Sequence, residues 1–293
     1  MITFLKLGKY GRFGNQLFQY AALRSLGLKN NCEIGLPYLD NVSHHNQNNL
    51  LNNLSIPDKF FGKTKFYHFF TQKKFVLNDS IAISEKFYDL KDGTDIQGYF
   101  QSIYYFKDCV DIIKKELTPK EKYIFEANDK INKIKDKYPN YEIVSLHLRR
   151  GDITDVRELM HSTDYYGGKE LDYKSLNGEY LLNSKLVFKN KKVKFLVFSG
   201  GATSNKNDKD LDWCRDNLTG EEYIISDSQD TIQDFSLITA CDHNIISRTS
   251  TFGWWAAFLN DKKNSIVVVP KIYDPEKPEH TRYMFYLDKW LMV

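Results

Sequence analysis

The stretch Ile143-Val144-Ser145-Leu146-His147-Leu148-Arg149-Arg150-Gly151-Asp152 decides how this chain is read. Its apolar start reads as a buried strand. It ends in two guanidiniums, a glycine and a carboxylate, which is how an α/β enzyme presents charge at a strand's C-terminal edge. Arginine forks match phosphate oxygens, and Gly151 permits a sharp turn or a close approach to a ligand. His147 lies two residues before Arg149 and so on the same strand face. The chemistry that fits is a diphosphate. A solvated strand end carries the same letters, so the motif needs company.

Downstream, candidate strands 142–148, 193–198, 223–226, 244–247 and 265–269 alternate with helices 178–189, 210–218, 230–240 and 252–259. A polar loop runs through Tyr173 after the first strand. Short Val/Ile-rich strands alternating with helices predict a parallel, doubly wound sheet. Upstream, residues 2–7 read as a strand, then Gly8, Gly11 and Gly14 punctuate a loop before an apolar helix to Lys29. Strands at 32–36 and 94–99, an exposed Asn-rich loop at 41–53, and helices at 102–117 and 121–138 complete this half. A boundary near Tyr138-Pro139-Asn140 gives domains 1–139 and 140–293, each large enough for its own core.

The 293 residues carry a formal charge of only +3, which excludes a dedicated nucleic-acid binder but leaves room for a basic cleft or peripheral attraction to an anionic membrane. Aromatics make up 15% of the chain, enough for sugar or base stacking, although core packing explains any single ring. Cys32, Cys109, Cys214 and Cys241 are scattered, with no metal-ligand spacing, which fits a reducing cytoplasm. No apolar run approaches membrane-spanning length, and the N-terminal segment is too short for a signal sequence, so a soluble chain is expected.

Three further places carry chemistry. Gly8-Lys9-Tyr10-Gly11-Arg12-Phe13-Gly14 spaces its glycines three and three, which argues against a dinucleotide fingerprint and a dehydrogenase. Its Arg12, with Asn15 and Gln16 at the helix start, suits an anion; an ordinary helix cap by Asn15 is the alternative. In Arg248-Thr249-Ser250-Thr251-Phe252-Gly253-Trp254-Trp255, a strand gives way to a helix with hydroxyls at its N-terminal edge, which suits phosphate, capping, or both. Trp254 and Trp255 read as packing. Asp234 is placed by topology to meet a base. A carboxylate accepts from both N1–H and N2–H of guanine, which adenine does not offer; a merely solvated helix aspartate is the alternative.

Four motifs in order, Gly11-x-x-Gly14-Asn15-Gln16-x-Phe18-Gln19-Tyr20-Ala21, Gly98-Tyr99-Phe100-Gln101-Ser102, His147-x-Arg149-Arg150-Gly151-Asp152 and Ser250-Thr251-Phe252-Gly253-Trp254-Trp255-Ala256-Ala257, resemble the inverting α-1,2-fucosyltransferases of bacterial O-antigen and blood-group H type. The resemblance spans essentially the whole chain. It implies a GT-B-type α/β fold of two Rossmann-like domains facing a cleft, with 1–139 on the acceptor side and 140–293 holding GDP-fucose. It implies no metal cofactor, and a galactose-terminated oligosaccharide or glycolipid as acceptor. By the same resemblance Arg149 holds the pyrophosphate, Arg150 supports it, His147 lies near the guanosine and Asp234 contacts guanine. Ser250, Thr251 and Phe252 meet the β-phosphate, and Asn15 and Gln16 face it from the other domain.

Arg12-Phe13 departs from the usual loop and looks like that of protein O-fucosyltransferases, so Arg12 either assists leaving-group charge or meets the acceptor. Asp152 is either the base for the acceptor hydroxyl or a support for the turn. Phe198-Ser199-Gly200-Gly201 lacks the acids of the corresponding family segment. Protein O-fucosylation and non-catalytic nucleotide-sugar binding are the competing functions.

Overall fold

A computed structural model describes the chain apart from residues 10, 38–49, 64–72, 78–82, 150–172, 201–206, 229, 248–249 and 271–285; for 149, 173–179 and 207–209 the description is confined to the backbone. The chain divides into two compact units, Met1–Glu121 with Ile272–Leu287, and Lys122–Lys271 with Asp288–Val293. The division falls after Glu121, ahead of the charged helix instead of behind it, so that helix goes with the second unit.

In the first unit β1 (Ile2–Thr3), β2 (Ile34–Gly35), β3 (Lys73–Leu77) and β4 (Thr94–Gly98) form a parallel sheet in the order β2-β1-β4-β3. The expected strand 2–7 is shorter because the chain turns at once, with the Leu7 and Lys9 amides donating back to the carbonyls of Phe4 and Lys6. Helix α1 (Phe13–Lys29) follows, and Leu17, Phe18, Tyr20, Ala21, Ala22, Leu23 and Leu26 are all fully buried. A helix apolar on most of its faces belongs in a core. It is tied to α2 (Val110–Leu117) by Glu116, which accepts from the Tyr20 hydroxyl at 2.7 Å and from Arg24 Nε at 3.0 Å. The helix expected over 102–117 exists only in this last part; before it come 3-10 turns at Ile103–Tyr105 and Lys107–Cys109.

The second unit begins one residue into α3 (Glu121–Lys137) and is built on β5 (Glu142–Arg149), β6 (Val193–Gly200), β7 (Tyr223–Ile225), β8 (His243–Ile245), β9 (Val267–Val269) and β10 (Leu291–Met292). The sheet is parallel in the order β10-β9-β8-β5-β6-β7. Helices α4 (Tyr173–Leu186), α5 (Asn207–Asn217), α6 (Thr231–Ala240) and α7 (Thr251–Leu259) lie between the strands in sequence. As the central strand, β5 buries Ile143, Val144 and Leu146. Its one buried hydroxyl, Ser145, accepts from Asn244 Nδ2 at 2.8 Å, and Asn244 Oδ1 accepts from Asn260 at 2.8 Å, so these interior polar groups are paired. Trp254 and Trp255 are fully buried, as packing residues. Among the described residues no helix is long and apolar enough to cross a membrane.

Asp242 fastens the base of this sheet. Its Oδ2 accepts from the Ile143 amide at 2.8 Å, and its Oδ1 from Lys135 at 2.9 Å and Lys262 at 2.8 Å. Burial alone pushes the carboxyl upward; the amide and the two ammoniums outweigh it and hold the group at about 2, below the ordinary 3.8. A folded-state value below the unfolded one gives stability present above pH 4 and lost as pH falls toward 2. Asp242→Asn is expected to lower unfolding free energy by about 2 kcal/mol at neutral pH. The deficit shrinks as pH is lowered through that window, which urea titrations at pH 7 and pH 3 check.

Candidate functional site

In an open parallel sheet, ligands sit beyond the C-terminal strand ends where the chain reverses its order of addition. The second unit leaves β5 for β6 and β7 on one side and returns to β8 on the other, which puts that point between β5 and β8. His147 lies there, near the end of β5 and mostly buried. Its carbonyl accepts from the Ser247 hydroxyl just after β8 at 2.5 Å, which ties the two strand ends together. Its ring packs against Phe252, centroids 5.6 Å apart, and Phe252 in turn meets Phe235 of α6 edge-on at 5.5 Å.

Helix α7 starts at this edge. Ser250 is its N-cap and accepts from the Gly253 amide at 3.2 Å. That leaves the Ser250 O–H proton to donate, beside first-turn N–H groups that helix geometry keeps outside the ladder. Thr251 and Phe252 are half-buried in that turn. Of the sequence alternatives at Ser250, capping is the one observed, and it leaves the hydroxyl proton available to a ligand. Gly253 makes the approach possible: a Cβ there would lie 3.0 Å from His147 Nδ1 and 3.2 Å from Ile246 Cβ.

Asp234 sits in the first turn of α6, near the end of β7, and its Oδ1 accepts from the Ser226 hydroxyl at 3.3 Å. It is not a solvated helix aspartate. Burial pushes its carboxyl up to about 7; the hydroxyls of Ser226 and Ser228 and the charge of Lys130 pull down without offsetting that, and Asp230 adds to the rise. Arg149 closes β5 opposite Gly200 of β6. Arg150 and Asp152 lie outside the described residues.

In the first unit the same topology puts the reversal between β1 and β4. Arg12 is the N-cap of α1 but makes no side-chain cap bond to it. Asn15 does not cap it either; its Oδ1 accepts from Gln101 Nε2, just past β4, at 2.6 Å. Gln16 is buried. The loop is held from beneath by fully buried Asp95, whose Oδ1 accepts from the Thr3 hydroxyl at 3.1 Å and the Leu5 amide at 2.8 Å. Sequence reasoning did not single out Gln101, Ser226, Ser247 or Gly253 as site residues. The signal for the serines was present: each follows a short apolar strand of the parallel sheet, at its C-terminal edge. Among the described residues no three His, Cys, Asp or Glu side chains cluster as metal ligands.

The sequence model described as Glycosyl transferase family 11 matches residues 5–293. Galactoside alpha-(1,2)-fucosyltransferase 1 of Aotus nancymaae is 27% identical over 268 residues, 85% of this chain and 63% of that protein. The O-antigen biosynthesis glycosyltransferase WbnK of Escherichia coli is 26% identical over 219 residues, 72% of this chain and 61% of its own. The chain thus spans less than two thirds of the length of these curated relatives. Among solved structures, fucosyltransferase NodZ from Bradyrhizobium superposes with TM-score 0.50 at 12% identity, covering 87% of this chain and 90% of that one. POFUT1 in complex with GDP-fucose gives 0.52 at 15%, covering 91% and 97%. The α/β fold with parallel sheets is the GT-B-like fold of these fucosyltransferases.

Two outcomes follow from the site's packing and charge. Gly253→Ala is expected to destabilise the protein by about 1–2 kcal/mol through overpacking, despite alanine's better helix propensity, as thermal unfolding will read. For Asp234 the folded value lies above the ordinary 3.8, so its charge costs stability that is lost as pH rises from 4 through 7. Asp234→Asn should match the parent below pH 4 and be the more stable protein at pH 8; equal denaturation midpoints at both pH values would refute the assignment.

Proposed function

Because this chain belongs to glycosyl transferase family 11, we propose that it is an inverting galactoside α-1,2-fucosyltransferase, moving L-fucose from GDP-β-L-fucose to the 2-hydroxyl of a terminal β-galactoside. The observation that carries this reading is the edge between β5 and β8. There the capped N-terminus of α7, the buried His147 and the strand end bearing Arg149 converge in a chain whose relatives are named for that transfer.

The donor is anionic at its diphosphate and hydrogen-bonding at its base, and the proposed residues match both. Arg149, supported by Arg150, takes the pyrophosphate; Ser250, Thr251 and Phe252 offer hydroxyls and first-turn amides to the β-phosphate. His147 lies near the guanosine, and Asp234 accepts from guanine N1–H and N2–H. We assign Arg12, Asn15 and Gln16, at the start of α1, to the donor as well.

The reaction is a single displacement. The galactose O2 forms a bond to the anomeric carbon as the bond from that carbon to the β-phosphate oxygen breaks. The hydroxyl proton passes to a base, for which Asp152 is the candidate, and GDP leaves with the electron pair. The β-linked donor gives an α-linked product. The transition state resembles an oxocarbenium ion parting from a diphosphate, so the largest contribution asked of the protein is to stabilise departing negative charge. Arg149 is assigned that work, with Arg12 assisting, and no metal is required.

GDP release from GDP-fucose, measured in EDTA with and without a β-galactoside and followed by NMR of the product, tests the reading. Acceptor-dependent release with fucose on galactose O2 is expected. Release only with a folded Ser/Thr-bearing protein domain would overturn the acceptor, and tight donor binding without release would overturn the activity. Arg149→Ala is expected to lower turnover at saturating donor by about a hundredfold or more. GDP affinity should rise from pH 6 to pH 8 as Asp234 ionises, and lose that dependence, along with its preference over ADP, in Asp234→Asn.

A further inference from the structure

We propose that Gln101 is a positioning residue that turns the Asn15 carboxamide so that its N–H groups, and not its oxygen, are offered at the start of α1. The inference rests on the donor reading above, in which Asn15 meets the diphosphate. A carboxamide is donor on one side and acceptor on the other, and an anion needs the donor side. Gln101 Nε2 donates to Asn15 Oδ1 at 2.6 Å, which engages the oxygen. The Asn15 Nδ2 then lies against Gly11, where a Cβ would come within 2.0 Å of it and within 2.6 Å of Cγ. Gly11 is left-handed at φ +72°. The Asn15 side chain is thus held between Gln101 and a glycine that leaves it room.

Gln101 is aimed by a strained backbone. Phe100, next to it, has φ +52°, a left-handed conformation that is an outlier for so bulky a residue. Such strain persists where the surroundings over-determine it, and it gathers at functional sites. Here the Phe100 ring is fully buried among Phe4, Phe87 and Tyr105, at centroid distances of 6.2, 5.6 and 5.2 Å. The Ser102 amide donates to the Phe100 carbonyl at 2.8 Å and fixes the bend. The aromatic box sets the turn after β4, and the turn presents Gln101 to a side chain 86 residues earlier in the chain.

The test is a comparison of GDP and GMP binding by calorimetry. Gln101→Met keeps the size and removes the donor. It is expected to weaken GDP by about tenfold, the worth of one hydrogen bond to a charged group, and to leave GMP unchanged. Asn15→Ala should do the same, and the double variant should add nothing further. Gln101→Glu should be worse than Gln101→Met, since a carboxylate attracts the Asn15 N–H groups and turns the oxygen outward. Wild-type GDP affinity in Gln101→Met, equal losses for GDP and GMP, or additive effects would each overturn the proposal. A wild-type protein that binds no GDP overturns the functional reading instead. The positioning claim is then decided by the Asn15 side-chain amide signals in ¹⁵N NMR, identified by their loss in Asn15→Ala: they move in Gln101→Met if the pairing holds, and an unmoved pair refutes it.

Discussion

Everything at the edge of the second sheet depends on how closely α7 approaches the strand ends beneath it. Gly253 sits where any side chain would press on His147 and Ile246, so the helix can begin directly over the β5 and β8 termini. The Ser247 hydroxyl joins those termini from below through the His147 carbonyl, and Ser250 caps the helix from above. The two serines do different work: one fixes the floor, the other leaves the first turn's donors in place. A helix started one turn later would carry the same dipole to a spot with no strand end to meet it.

The first unit solves a similar problem with a buried carboxyl group. Asp95 on β4 gathers the Thr3 hydroxyl, the Leu5 amide and the Gln97 carboxamide, which turns the chain immediately after β1 and shortens that strand to two residues. Buried carboxylates persist when their oxygens are this well supplied. The result is a loop of glycines that delivers Arg12 and Asn15 to the start of α1. Both units thus use paired polar groups inside the sheet to decide where the loops at its C-terminal edge leave it.

Five of the six strands of the second sheet were legible because short, largely apolar runs recur there between helices; β10 (Leu291–Met292), two residues at the edge, was not read from the sequence. The strand at Lys73-Lys74-Phe75-Val76-Leu77 was not, since it is an edge strand with its lysines and Val76 exposed, and only its pairing with β4 makes it extended. Residues 102–109 carry the apolar spacing of a helix, yet the aromatic box around Phe100 and Tyr105 bends them into 3-10 turns. Of the site, the motif residues could be named from their types. The contacts of Gln101 with Asn15 and of Ser226 with Asp234 could not, because no local pattern encodes them, although the position of Ser226 at a strand's C-terminal edge was readable.

Asp242 and Asp234 show how two carboxyl groups of one unit diverge with what surrounds them. Asp242 receives an amide and two ammoniums and stays ionised down to about 2. Asp234 is met by the hydroxyls of Ser226 and Ser228, with Lys130 as a more distant charge, and is held at about 7. Relative to the ordinary 3.8, that rise is a penalty on its charged form of about 4 kcal/mol. A hydrogen bond to a charged group contributes about 1.5–3 kcal/mol, so one donor falls short of the penalty, whereas two together, at about 3–6 kcal/mol, are of its size. On the proposed reading, guanine brings two N–H donors to the carboxylate. Adenine, with no N1–H, falls short. On that reading the free protein leaves the carboxylate undersupplied, at the expense of stability near neutral pH, and a ligand with both donors completes it.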